Sequence, residues 1–310
     1  MLLSIALILL VGMFTGWICK QLHLPSLLGM IITGILLGPH VFNMIDTSIL
    51  NISSELRRIA LIIILTRAGL SLDLNDLKKV GRPAILMCFV PACFEMIGMV
   101  ILAPRLLGVS VLDAAIMGAV VGAVSPTVIV PKMLKLMEEK YGTQQGIPQL
   151  ILAGASVDDV FVIVMFSAFT GLAQGGNVSP MSFVKIPVSI AVGIFVGMIF
   201  GIVLAKFFEK VHIRDTAKVI ILLSLSFILV TFEDNYSDII PFASLIAVMC
   251  VGIALQRRRA VVANRLSLKF NKLWVAAEIM LFVLVGATVD LKYVQSAGIA
   301  AVVLIFGVLV

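Results

Sequence analysis

The chain is 310 residues long, 61% hydrophobic and only 13% charged, with a formal net charge of +6. A soluble domain is nearer half apolar and a quarter charged, so this composition excludes an ordinary water-soluble globule. The apolar excess falls in long blocks and the basic residues sit in short stretches between them, which is how membrane helices and their topology signals are laid out, and not how a nucleic-acid-binding surface is built.

Hydropathy predicts eleven apolar segments, near 1–19, 24–40, 56–72, 83–104, 111–133, 148–173, 183–205, 217–232, 238–256, 273–289 and 296–310. The first lacks a basic stretch in front of it and reads as a span, not a cleavable signal. The four cysteines, Cys19, Cys88, Cys93 and Cys250, form no CxxC and read as small buried hydrophobes. His23, His40 and His212 are scattered, and no metal cluster or cofactor motif is visible. Segment two opens with Leu24-Pro25. Segment three holds Arg67, read as a structural tie to a carbonyl or headgroup, and leads into Gly69-Leu70-Ser71-Leu72-Asp73-Leu74. Glu95 lies in the middle of segment four and is a candidate for a buried ion pair.

Segment five reads Gly118-Ala-Val-Val-Gly122-Ala-Val-Ser125-Pro126-Thr127-Val-Ile-Val-Pro131. Proline removes a backbone donor and disfavours helix at the residue before it. Two prolines five residues apart predict a helix unwound at mid-membrane. Freed carbonyls and the hydroxyls of Ser125 and Thr127 are hard oxygen ligands suited to a small cation. Unwound backbone at that depth must be buried in protein or line a wet cavity.

Segment six carries Ser156-Val157-Asp158-Asp159 inside an apolar run. Each acid costs roughly 2.5–3.5 kcal/mol on insertion scales, so the pair implies a function. Counted from Leu150, it sits about two turns into the span. Neighbours on a helix point about 100° apart, so the two carboxylates have different roles. Ser156 shares the face of Asp159. That assigns Asp159 and Ser156 to an ion cavity and turns Asp158 toward a basic partner. A site that binds either a proton or a cation, but not both, couples the two flows by competition.

On segment seven, Gly193, Gly197 and Gly201 form a seam for helix packing or dimerisation. Glu233 and Asp234 read as loop acids, and Glu278 opens the apolar run of segment ten. Basic residues test the parse. Odd-numbered loops, including 257–272 as a loop, hold 17 Lys and Arg against 5 in even-numbered ones. The positive-inside rule then places odd loops in the cytoplasm and the N-terminus outside.

The chain also repeats itself. Gly69 to Leu74 and Gly286 to Leu291 both read G-x-[ST]-x-D-L, and they follow Pro25 and Pro241 by 44 and 45 residues. The copies are an odd number of segments apart, so they cross the membrane in opposite senses. Inverted repeats of this kind are common in secondary transporters.

The run Leu24-Pro-Ser-Leu-Leu-Gly-Met with Gly34 and Gly38, the stretch Thr66-Arg67-Ala-Gly69-Leu-Ser-Leu-Asp73, and the segment-five and segment-six motifs together resemble cation:proton antiporters of the second superfamily. The likeness is to bacterial relatives of the animal sodium/proton antiporter group, and Leu281-Phe-Val-Leu-Val-Gly286-Ala is similar to its later core signature. The resemblance implies an all-α polytopic membrane protein with the inverted-repeat antiporter fold, a broken helix at Pro126 and Pro131, and eleven of thirteen expected spans. It implies a homodimer in the inner membrane, with a scaffold of 1–72 and 183–290. The core is 83–173 plus 296–310, moves like an elevator and is completed by helices beyond Val310. On this reading the chain is C-terminally truncated. Asp159, with Asp158 beside it, carries the exchanged ion (Na+ or Li+, with K+ a further candidate) or the proton, and Glu95 pairs with an arginine beyond Val310. The expected partners are therefore that cation, the proton, membrane lipid and a second copy, with no nucleic acid and no cofactor. A ligand-gated potassium efflux protein of the glutathione-regulated type, or a membrane sensor on the same scaffold, is the alternative. An enzyme is disfavoured, because no nucleophile–base or metal arrangement is present.

Overall fold

Unpaired backbone groups are costly in hydrocarbon, and a helix satisfies them within one segment. The computed structural model describes residues 1–72, 82–87, 89–122, 126–173, 180–236 and 241–309, and helix is the only regular structure among them. The first helices are α1 (Leu2–Gln21), α2 (Ser26–Leu37), α3 (Thr47–Asn51), α4 (Ser53–Ser71) and α5 (Arg82–Met87). They are followed by α6 (Val90–Leu107), α7 (Val111–Val121), α8 (Pro126–Glu138), α9 (Ile147–Ala173) and α10 (Pro180–Lys210). The last described are α11 (Asp215–Tyr236), α12 (Ser244–Arg258), α13 (Ala260–Ala287) and α14 (Leu291–Leu309). Among the described residues α1, α6, α11, α13 and residues Pro187–Lys210 of α10 are long and apolar enough to cross a membrane.

The chain divides into two units. The first comprises Met1–Ile63 and Phe270–Gly298. In it α1 and α2 run antiparallel, fastened where Thr15 Oγ1 donates to the Gly29 carbonyl at 3.0 Å and meets Thr33 Oγ1 at 2.6 Å. Asp46 caps α3 by accepting from the Ser48 N–H at 2.9 Å. The second half of α13 crosses α2 at two glycines. A Cβ on Gly34 would collide with the Val283 carbonyl oxygen and come within 2.8 Å of Gly286 Cα, while one on Gly286 would collide with the Ile31 carbonyl oxygen.

The second unit comprises Ile64–Lys269 and Ile299–Val310. In it α4 crosses α12 in the same manner. A Cβ on Gly69 would collide with the Met249 carbonyl oxygen, and one on Gly252 would lie 2.7 Å from the Leu70 nitrogen. Gly69 and Gly286 are matched by the sequence repeat. Gly34 precedes Gly69 by 35 residues and Gly252 precedes Gly286 by 34. Each copy's second-segment glycine therefore meets the other copy's third-segment glycine.

Gly193, Gly197 and Gly201 of α10 also pack within the chain, against Ala243, Ala247 and Val251 of α12 in that order. The order makes α10 and α12 parallel. The Gly193 and Gly201 Cβ positions lie 2.6 and 2.7 Å from the Ala243 and Val251 carbonyl oxygens, so the helices touch backbone to backbone.

Two expectations change. The basic run 260–272, read as a loop, is the start of α13, because Val262, Ala263, Leu266 and Phe270 form a buried stripe at helical spacing. Glu233 and Asp234 belong to α11, not to a loop. The Glu233 carboxylate accepts from both the backbone N–H and the hydroxyl of Ser244, capping the first turn of α12. Segment eleven is bent at Gly298, whose φ of +54° suits a residue without Cβ.

Candidate functional site

The site is built on α6, α7, α8 and α9, all in the second unit. Gly108, at φ +67°, ends α6 in a left-handed turn, and Ser110 then caps α7 by accepting from the Asp113 N–H at 3.1 Å. This hairpin makes α6 and α7 antiparallel. Ala103 and Met99 meet Ala114, Met96 meets Gly118, and Ala92 and Glu95 lie level with Gly122. The Glu95 carboxylate is half-buried, with Oε2 3.5 Å from where a Cβ on Gly122 would stand. Among the described residues no basic group pairs with it.

Helix α7 ends at Val121 and α8 begins at Pro126; residues 123–125, where the interruption is expected, lie outside the described residues. The two prolines hold different places. Pro126 opens α8, where a missing N–H costs nothing, whereas Pro131, expected to mark the broken helix, lies inside α8. The reason is positional. By position six of a helix the preceding turn already holds the chain; Pro131 removes the N–H that would bond the Thr127 carbonyl, and its ring crowds that carbonyl. Ser125 lies outside the described residues, as do the side chains of Pro126 and Thr127.

The long helix α9 packs on α5, α7 and α8, and so on both helices of segment five. Its 27 residues span about 40 Å, more than the hydrocarbon thickness. Asp158 and Asp159 occupy its middle, about three turns from Ile147, deeper than the two turns counted from the sequence. One turn before them Gly154 packs on Met87 of α5, with its Cβ position 3.0 Å from Met87 Cβ. One turn after, Val162 is buried with Ala92 and Met96 of α6 and Ala119 of α7, flanked by Phe161, Met165 and Phe169. The backbone carrying the acid pair thus lies in the same layer as Glu95 and the end of α7. The side chains of Ser156, Asp158 and Asp159 lie outside the described residues.

Arg67 is buried on α4, with Nη2 3.9 Å from Glu138 Oε1 at the end of α8. The sequence reading missed Glu138 as a partner because only the fold brings 67 and 138 together.

The family model described as sodium/hydrogen exchanger, transmembrane, matches residues 5–310. Sodium/hydrogen exchanger 9B2 of Xenopus tropicalis is 29% identical over 308 residues, covering 95% of this chain and 56% of that protein. The human protein of the same name is 30% identical over 297 residues, 93% of this chain and 53% of its own length. The chain therefore spans about half the length of these curated relatives. Among solved structures, the sodium proton antiporter MjNhaP1 from Methanocaldococcus jannaschii at pH 8 superposes with a TM-score of 0.79. It covers 98% of this chain and 74% of the other at 18% identity, a likeness of fold. With the family model matched across nearly the whole chain, this protein belongs to the sodium/hydrogen exchanger family, a family of multi-pass membrane transporters and not of enzymes.

Proposed function

We propose that the chain forms the ion-translocating part of a secondary active transporter that exchanges a monovalent cation for protons. Na+ or Li+ is the favoured cation, with K+ a further candidate. The observation that carries this reading is the packing of one long helix, with two acids at its middle, on both α7 and α8, the helices that flank residues 123–125. An acid pair at that depth has a cost that only a function offsets. An interrupted helix beside it offers uncompensated carbonyls, that of Thr127 among them.

Asp159, Ser156, Ser125 and Thr127 supply the oxygens, and proton and cation compete for them. Asp158 shares a helical stripe with Gly154 and Val162, whose neighbours are α5 and α6. This spacing supports a role for Asp158 distinct from that of Asp159, alongside Glu95. Alternating access comes from an elevator movement of the core, 83–173 with 296–310, against a scaffold of 1–72 and 183–290. The protein works as a homodimer in the inner membrane with its N-terminus outside.

The test uses the full-length protein in proteoliposomes with an imposed pH gradient. Adding Na+, Li+ or K+ collapses the gradient for the transported ion, and Asp159→Asn abolishes the response. Exchange that persists unchanged in this variant overturns the site assignment. A gradient indifferent to all three ions favours a sensor.

A further inference from the structure

Charge is concentrated at one end of the second unit. Residues 206–218 and 257–269 hold nine Lys and Arg against two acids, Glu209 and Asp215. The rest of the chain holds fourteen basic residues against fifteen acids. Orientation signals alone do not explain this. The positive-inside rule counts Lys and Arg and is little affected by acids. Elsewhere acids accompany the cations, as Glu138 and Glu139 do for Lys132, Lys135 and Lys140.

The fold brings these residues together. The glycine seam makes α10 and α12 parallel, so their C-terminal ends lie side by side, tied by Arg259 Nη1 to Glu209 Oε1 at 3.6 Å. Asp215 is occupied by Lys218 and Arg265, each at 3.2 Å. Both acids are thereby used. Lys206, Lys210, Arg214, Arg257 and Arg258 are exposed and have no acidic partner among the described residues. Phe207 and Val261, 42% and 73% exposed, stand among them. Cations interleaved with exposed apolar side chains at the end of membrane helices match the boundary between headgroups and acyl chains.

We propose that this end of α10 and α12 binds an anionic phospholipid, its phosphate held by Lys206, Lys210, Arg257 and Arg258 and its acyl chains lying against Phe207 and Val261. The inference requires only that the chain spans a membrane, and it stands or falls independently of the exchange site.

The test compares the full-length protein with K206Q/K210Q/R257Q/R258Q after relipidation with phosphatidylcholine alone or mixed with phosphatidylglycerol. Native mass spectrometry reads retained lipid, and thermal unfolding reads stabilisation. Phosphatidylglycerol is expected to be retained and to raise the melting temperature of the unchanged protein. Each cation removed weakens retention about fivefold, and added salt releases the lipid from the unchanged protein. Three results overturn the proposal: equal retention in the quadruple variant, an equal loss in K132Q/K135Q/K140Q, or the same stabilisation by inorganic phosphate, which would mark a soluble-anion site. If the quadruple variant does not fold, Arg258→Gln and the salt titration decide, and retention indifferent to both refutes it.

Discussion

Gly252→Ala and Gly98→Ala add the same methyl group to two helix interiors, and the structure predicts opposite outcomes. On propensity alone either change favours the helix by about 0.8–1.0 kcal/mol. At Gly98 the atoms nearest the new carbon belong to Val308, its side chain at 3.6 Å and its Cα at 3.7 Å, all ordinary contacts. Propensity decides there, and the variant gains roughly 0.5–1 kcal/mol. At Gly252 the carbon lands 2.7 Å from the Gly69 carbonyl carbon and from the Leu70 nitrogen. Both are backbone atoms, and neither can rotate away. Restoring ordinary contact requires α4 and α12 to part by about 0.7 Å, which forfeits a quarter to a half of the dispersion energy where they cross. Overpacking of this kind costs about 1–3 kcal/mol, and against the propensity gain this leaves a loss of up to about 2 kcal/mol. Heating the full-length protein in mild detergent and following the monodisperse fraction measures both. Gly252→Ala should melt several degrees lower, and Gly98→Ala at or above the unchanged protein. A Gly252→Ala variant that melts with the parent would refute backbone contact as the limit on this crossing.

Three further variants separate roles that the structure assigns. Asp215→Asn strips the counter-ion from buried Lys218 and should cost about 2–3 kcal/mol in the same melting assay, with Lys218→Met in that background recovering most of it. Glu233→Ala removes the acceptor for the Ser244 N–H and hydroxyl and should cost about 1 kcal/mol; if no loss is seen, the cap contributes nothing. Pro131→Ala returns an N–H to the Thr127 carbonyl, so it should stabilise α8 and weaken cation-driven proton exchange together. Exchange at the parental rate would remove that carbonyl from the ion path.

The parts of this fold legible in the sequence are those whose cause is local. Pro126 announces a helix start because a proline and the residue before it are constrained by covalent geometry. Asp158 and Asp159 stand out because acids in an apolar run cost energy wherever the helix packs. Features with partners distant in the chain were not legible. Glu233 reads as a loop acid until Ser244 is seen beneath it, and Arg67 has no visible anion until α8 returns to it. Hydropathy misplaced the start of α13, since a charge-counting window registers Arg265 and Lys269 and overlooks the buried stripe between them. The glycine seam was visible, but its use was not, since packing within a chain and between chains demand the same small residues. Gly252 escaped the repeat because it follows Pro241 by 11 residues where Gly34 follows Pro25 by 9.

The parallel pairing of α10 and α12 has a consequence for biosynthesis. Parallel neighbours cannot close as a hairpin, so α11 must cross back before they meet. Between Lys210, the last residue of α10, and Arg258, the last of α12, the ribosome adds 48 residues. At 5–20 residues per second this takes roughly 2–10 s. Throughout that interval Gly193, Gly197 and Gly201 have no partner helix, and the groove they form faces lipid or the insertion machinery. A nascent chain stalled in this window presents a ready surface for mispairing with any passing small-residue helix. Translation speed across 211–258 therefore bears on the yield of assembled protein.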